Sequence, residues 1–197
     1  MKIRHAAIFL ALPLLCTTAQ ANSFLHYAGE FNFRTGEKQN NVTIAGLSAI
    51  TFDAKKNIFY AINDSRNNNK EGDASLYTLK IQVSSRGIEQ VNFLNQRPLL
   101  DAKQQPFVTN TVDAEGLALT HNGKSLLWSS ELGAPLRLST LDGVMEKDFT
   151  SLFPARFNIS SDKESSNGIR SGNAWEGLTV TPDGKSLFIA VESSLKQ

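Results

Sequence analysis

The sequence predicts an all-β protein assembled from repeated antiparallel hairpins. Three observations carry that expectation. The stretch EGLALTHNGKSLLWSSE, Glu115 to Glu131, returns 61 residues later as EGLTVTPDGKSLFIAVE, Glu176 to Glu192, with nine of 17 positions identical. Self-similarity at such a spacing marks a repeat architecture. Apolar residues alternate in short runs, as in Leu76, Tyr77, Leu79, Ile81 and Val83, which is the period of a half-buried strand. Clusters of Gly, Asn, Asp and Pro punctuate those runs.

Taken in order, Thr43 to Phe52 and Ile58 to Ile62 read as strands around the turn Asp53-Ala54-Lys55-Lys56-Asn57. Ser75 to Val83 and Gly87 to Phe93 follow as a second pair. Glu115 to Thr120 and Ser125 to Ser130 flank His121-Asn122-Gly123-Lys124. Leu136 to Leu141 comes next, then an Asp142-Gly143 turn and a strand from Val144 to Lys147. Glu176 to Thr181 and Ser186 to Val191 flank Pro182-Asp183-Gly184-Lys185. In that turn Pro presets φ and Gly takes the left-handed position. Two polar loops, 67–73 and 160–173, interrupt the pattern, as insertions on one rim of a repeat fold do.

Each unit begins with a Gly-Leu pair: Gly46-Leu47, Gly116-Leu117 and Gly177-Leu178. The spacings of 70 and 61 residues exceed the ~40–45 of a compact blade, and the loops account for much of the excess. Repeated meanders point to a β-propeller. A β-sandwich is the alternative, since its strands need not repeat in sequence.

The first 21 residues read as a secretory leader. Lys2 and Arg4 give a basic start, Ala6 to Leu15 an apolar run, and Ala19-Gln20-Ala21 a small-residue cleavage site. The expected domain is therefore 22–197, in a periplasmic or secreted location. The single cysteine, Cys16, falls in the leader. An exported chain without disulfides must be held by its core or by a metal. A formal net charge of +1 argues against nucleic acid as a partner. No later segment is apolar enough to cross a bilayer as a helix.

The repeated hairpin keeps a carboxylate at both ends. In an antiparallel hairpin the first residue of one strand lies near the last residue of the other. Glu115 should therefore meet Glu131, and Glu176 should meet Glu192, each pair away from its turn. In the first unit Asp64 stands at the exit and Ala45 at the start; Asp113 sits just ahead of Glu115. Carboxylates converging on one channel mouth repel, and protonation or a bound cation relieves that. Hard oxygen donors from several strands suit Ca2+. Acids that merely accept backbone N–H groups are the structural alternative. Arg66, Arg137 and Arg170, near the same rim, could hold an anionic group or neutralise the glutamates. His26 and His121 are isolated and read as structural, and packing is the expected role of Trp128 and Trp175. Ser48 lacks the Gly-x-Ser-x-Gly setting of a nucleophile elbow.

The ordered set Gly46-Leu47-Ser48, Asn63-Asp64-Ser65-Arg66, Asp113-Ala114-Glu115-Gly116-Leu117, Ser130-Glu131, Trp175-Glu176-Gly177-Leu178 and Val191-Glu192-Ser193 resembles the phytase-like, or "esterase-like activity of phytase", family of exported bacterial proteins. The resemblance runs from about Gly29 to the end. It implies a six-bladed propeller with an acidic channel mouth, related in architecture to the calcium-dependent propeller phytases. It also implies hydrolysis of phosphate or other esters. By motif, Asp64, Glu115, Glu131, Glu176 and Glu192 become the acidic channel positions. The expected roles are catalysis for Glu115 and Glu176, metal binding for Asp64, Glu131 and Glu192, and substrate binding for Arg66, Arg137 and Arg170. The substrate would be a small anionic ester. The family continues with further blades where this chain stops, so an incomplete propeller is expected. A non-catalytic binding propeller and an inactive fragment remain alternative readings.

Overall fold

A computed structural model of the chain describes residues 27–34, 36–39, 42–44, 46–70, 72–157, 159–160 and 167–196. The leader expected over 1–21 lies outside the described residues, as do His26 and Ala45. Among the described residues the fold is all-β. The strands are β1 (Lys38–Gln39), β2 (Val42–Thr43), β3 (Leu47–Asp53), β4 (Ile58–Asn63), β5 (Ser75–Ser84), β6 (Gly87–Pro98), β7 (Ala114–Leu119), β8 (Ser125–Ser130), β9 (Leu136–Thr140), β10 (Met145–Asp148), β11 (Ile159–Ser160), β12 (Ile169–Arg170), β13 (Trp175–Val180) and β14 (Leu187–Val191). Two single 3-10 turns, Thr150–Leu152 and Ala155–Phe157, are the described helical segments. No described helix is long and apolar enough to cross a membrane.

The main sheets are antiparallel meanders in sequence order. One has the order β3-β4-β5-β6 and another the order β7-β8-β9-β10, while β13-β14 forms a third hairpin. Strand β7 packs between β3 and β13, so the first strands of the three units are neighbours. The strand expected over 43–52 is split. Gly46 adopts φ +55° and the Asp64 carboxylate lies directly against it, so the chain bends there and β3 starts afresh at Leu47.

The largest core fills the space between the first two sheets. Tyr60, Ile62 and Leu76 meet Ala114, Leu117, Leu126 and Trp128 there, with Leu99 and Val112 from the linking segment. The linking segment is also tied by its backbone. Leu100 N–H donates to Gly143 O, and Met145 N–H donates back to Leu100 O, at 2.9 Å each. The outer face of the first sheet carries a second cluster around Tyr77, Leu79 and Phe93, covered in part by Phe33 and Ile44. A sheet apolar on both faces is an inner layer of a stack. Around the third hairpin Trp175 packs edge-on to Phe153, with ring centroids 4.8 Å apart.

Side-chain hydroxyls stitch neighbouring units. Thr51 Oγ1 accepts Leu119 N–H at 3.3 Å, joining β3 to β7. Ser129 Oγ donates to Glu176 O at 3.0 Å, joining β8 to β13. At the far end His121 Nδ1 lies 3.0 Å from Pro182 O, so the two turns touch.

Candidate functional site

All three hairpins open at the end away from their turns, and each carries an irregularity there. The register between β3 and β4 shifts between Leu47 and Ala49. That between β7 and β8 shifts between Ala114 and Leu117, and that between β13 and β14 between Trp175 and Leu178. In every case the first strand holds one extra residue, which is a β-bulge. Bulges re-aim side chains and increase local twist. Glu115 and Glu176 sit within two of these bulges. The residues just past the second strands are pinned the same way in all three units. Asp64 N–H donates to Gly46 O, Glu131 N–H to Asp113 O and Glu192 N–H to Ala174 O, each at 2.9 Å.

This local geometry brings the acids together. Asp113, Glu115 and Glu131 each offer an oxygen within 4.8 Å of the others, and so do Glu131, Glu176 and Glu192. Glu131 belongs to both trios. It is 8% exposed, and its carboxylate also accepts the backbone N–H of Ala174 in a very short hydrogen bond. Glu192 is exposed and accepts Asn173 Nδ2 at 2.7 Å. Asp64, also exposed, belongs to neither trio, but its charge reaches Asp113 and Glu115.

Crowding raises proton affinity. Burial, then the charge of Glu176, pushes the Glu115 carboxyl up to about 8, against a smaller opposing effect of its hydrogen bond with Ser48. Burial also raises Glu176, with Glu131 and Glu192 adding repulsion. Asp113 is 1% exposed and is raised by burial, although Arg66 pulls it back. Arg66 donates through Nε at 2.8 Å, and its Nη2 lies 2.6 Å away, both at Asp113 Oδ2. The other oxygen, Oδ1, is buried with no hydrogen-bond partner. An orphaned carboxylate oxygen inside a group of acids costs free energy unless a cation or proton meets it. The donor set is all hard oxygen, which fits Ca2+.

The three arginines part company. Arg66 stands beside the acids, with its side chain 43% exposed. Arg170 is exposed and donates through Nε to Ser194 O at 3.1 Å. Arg137, expected to meet an anionic group, is instead 4% exposed. Its guanidinium lies 4.7 Å from the centre of the Trp128 ring and donates to the carbonyls of Ala134 and Leu132. Its position is that of a packed cation under an aromatic face. Trp128 is buried and donates Nε1–H to Ser139 Oγ at 2.8 Å, so it too serves packing.

The residue that sequence reasoning left out of the site is Asp113. The internal repeat pairs it with Ala174, so comparing the units hides it. Its place two residues before Glu115 was the available signal.

No curated protein matches the chain. Among solved structures it is similar to a periplasmic gluconolactonase of Pseudomonas aeruginosa, with 13% identity and a TM-score of 0.45 over 76% of this chain and 38% of that one. It is also similar to a putative 6-phosphogluconolactonase from Bacteroides uniformis, with 12% identity and a TM-score of 0.34 over 78% of this chain and 52% of that one. The chain thus spans less than two thirds of either protein. The family model described as "Phytase-like: Esterase-like activity of phytase" matches residues 42–197, and the chain belongs to that family.

Proposed function

We propose that this chain is an exported, Ca2+-dependent hydrolase of phosphate or other esters, working at the acidic mouth of a β-propeller. The observation that carries the reading is the pair of carboxylate trios that share Glu131, one of them including Asp113, whose Oδ1 is buried with no hydrogen-bond partner. Family membership supports the ester chemistry. The leader-like residues 1–21 support export to the periplasm or beyond.

Glu131 would hold the cation, with Asp113 in the one trio or Glu192 in the other, and with Asp64 at the exposed edge. When bound, Ca2+ supplies charge to a phosphoryl or carbonyl oxygen and acidity to a coordinated water. Arg66 and Arg170 orient the anionic group through planar N–H pairs. Glu115, in one group with Asp113 and Glu131, is placed to pass a proton to the departing alkoxide oxygen. Glu176 accepts the proton of the attacking water.

The test is release of aryl alcohol from an aryl phosphate and from an aryl ester by the full chain, with Ca2+ and with chelator. The account expects turnover that requires Ca2+ and falls at least a hundredfold in Glu115→Gln. Equal release with wild type and Glu115→Gln would remove the assigned role, and no release of either product would remove the hydrolase reading.

A further inference from the structure

We infer that Ser129 is a positioning residue that locks the Glu115 and Glu176 bulges together and so sets the spacing of the acidic groups. The inference rests on the metal-dependent reading above and deepens it.

A bulge leaves one residue without its ladder partners, and buried backbone groups must find others. Gly116 sits in the bulge of β7, and Glu176 in the bulge of β13. One hydroxyl serves both. Ser129 Oγ accepts Gly116 N–H at 2.7 Å and donates to Glu176 O at 3.0 Å. A serine hydroxyl has one proton and two lone pairs, so it can do both at once. Ser129 is 0% exposed, and no water can take over either bond without a rearrangement of the core.

The contact is as close as backbones allow. A Cβ on Gly116 would collide with Glu176 O and come within 2.7 Å of Leu178 Cβ. Gly116 follows Glu115 directly, and the carbonyl that Ser129 holds is that of Glu176 itself. Fixing these two backbone groups fixes the roots of both side chains. The matching residue of the third hairpin is Ala190, which has no hydroxyl, and Gly177 there meets only its Cβ at 3.5 Å. The matching residue of the first hairpin is Ile62, so of the three hairpins only the second carries a hydroxyl at this place. Thr51 offers a control, because it also bridges two units through a hydroxyl but far along β3 from the acids.

The experiment is calorimetric titration of the full chain with Ca2+ alone, beside thermal melting, for wild type, Ser129→Ala, Ser129→Cys and Thr51→Ala. The expected result is a loss of Ca2+ affinity of tenfold or more in Ser129→Ala and a smaller loss in Ser129→Cys. Thr51→Ala should melt earlier by a similar amount and keep its affinity within twofold. If Ser129→Ala does not fold, Ser129→Cys decides the matter by the same comparison with Thr51→Ala. Wild-type affinity in the folded Ser129 variants would overturn the positioning role while leaving the metal reading intact. Absence of Ca2+ binding in the wild type would overturn both.

Discussion

Leu126 and Leu187 occupy the same place in two copies of one hairpin, yet Leu126 is 1% exposed and Leu187 is only half-buried. The contrast holds at every position of the second strand, Ser125 to Ser130 against Ser186 to Val191. Gly116 is buried against Glu176 and Leu178, whereas Gly177 is exposed. Trp128 is buried, its counterpart Ile189 half-buried, and Phe188 is 63% exposed where Leu127 is half-buried. Both copies form the same turn, the same bulge and the same pinned carboxylate. The hairpin is therefore local in origin, while its burial comes from neighbours. Strands β7 and β8 have β9 beside them and β3 and β13 against their faces, and the second copy meets β7 and β8 on one side.

The largest expected effect tests that burial. Trp128→Ala should destabilise by about 3–5 kcal/mol, the usual range for a buried aromatic. Ile189→Ala, at the same position of the second copy, should cost about 1–2 kcal/mol, below that range because the site is half-open. Urea unfolding of both variants measures the difference, and equal losses would break the comparison. Next come the glycines. Gly116→Ala should cost about 1–3 kcal/mol through overpacking. Gly177→Ala has room for its Cβ and should stay within about 0.5 kcal/mol of wild type. A similar loss at Gly177 would mean that its face is covered in solution.

A smaller effect sharpens the electrostatic side. The Glu115 carboxyl is raised to about 8 in the folded chain from an ordinary 4.5. The folded state therefore binds more protons than the unfolded state between those values, and stability falls as pH rises through that window. Glu176 and Asp113 shift in the same direction. In chelator, Glu115→Gln should flatten the decline and gain about 1–2 kcal/mol over wild type at pH 8, part of the ~1.4 kcal/mol that each pKa unit is worth. Melting curves from pH 5 to 8 check this. A wild type equally stable across the range would show that the acids do not repel.

Much of this was legible in the sequence. Alternation and turn chemistry placed most strand ends to within a residue, and strand β8 over its full length, but β6 runs on to Pro98, five residues past Phe93, and β3 starts four residues after Thr43. The meeting of Glu115 with Glu131 follows from antiparallel pairing alone. Other features depend on contacts between units, which local pattern does not encode. The bulges appear only when two strands are paired. Arg66 reaches Asp113 across 47 residues of sequence. Arg137 was expected at the same rim as Arg66 and Arg170, but stacking on Trp128 and two carbonyl acceptors make its burial tolerable. The break at Gly46 goes with its positive φ and with the Asp64 carboxylate, which leaves no room for a Cβ there.

The most direct measurement is thermal unfolding of the full chain at pH 7.5 with Ca2+ and with chelator, for wild type and Glu131→Gln. Ligand that binds only the folded state at a hundred times its Kd stabilises by about 2.7 kcal/mol. The account predicts a cooperative transition that Ca2+ moves upward by several degrees in the wild type and hardly at all in Glu131→Gln, the residue common to both trios. An identical melting temperature with Ca2+ and with chelator in the wild type would contradict it.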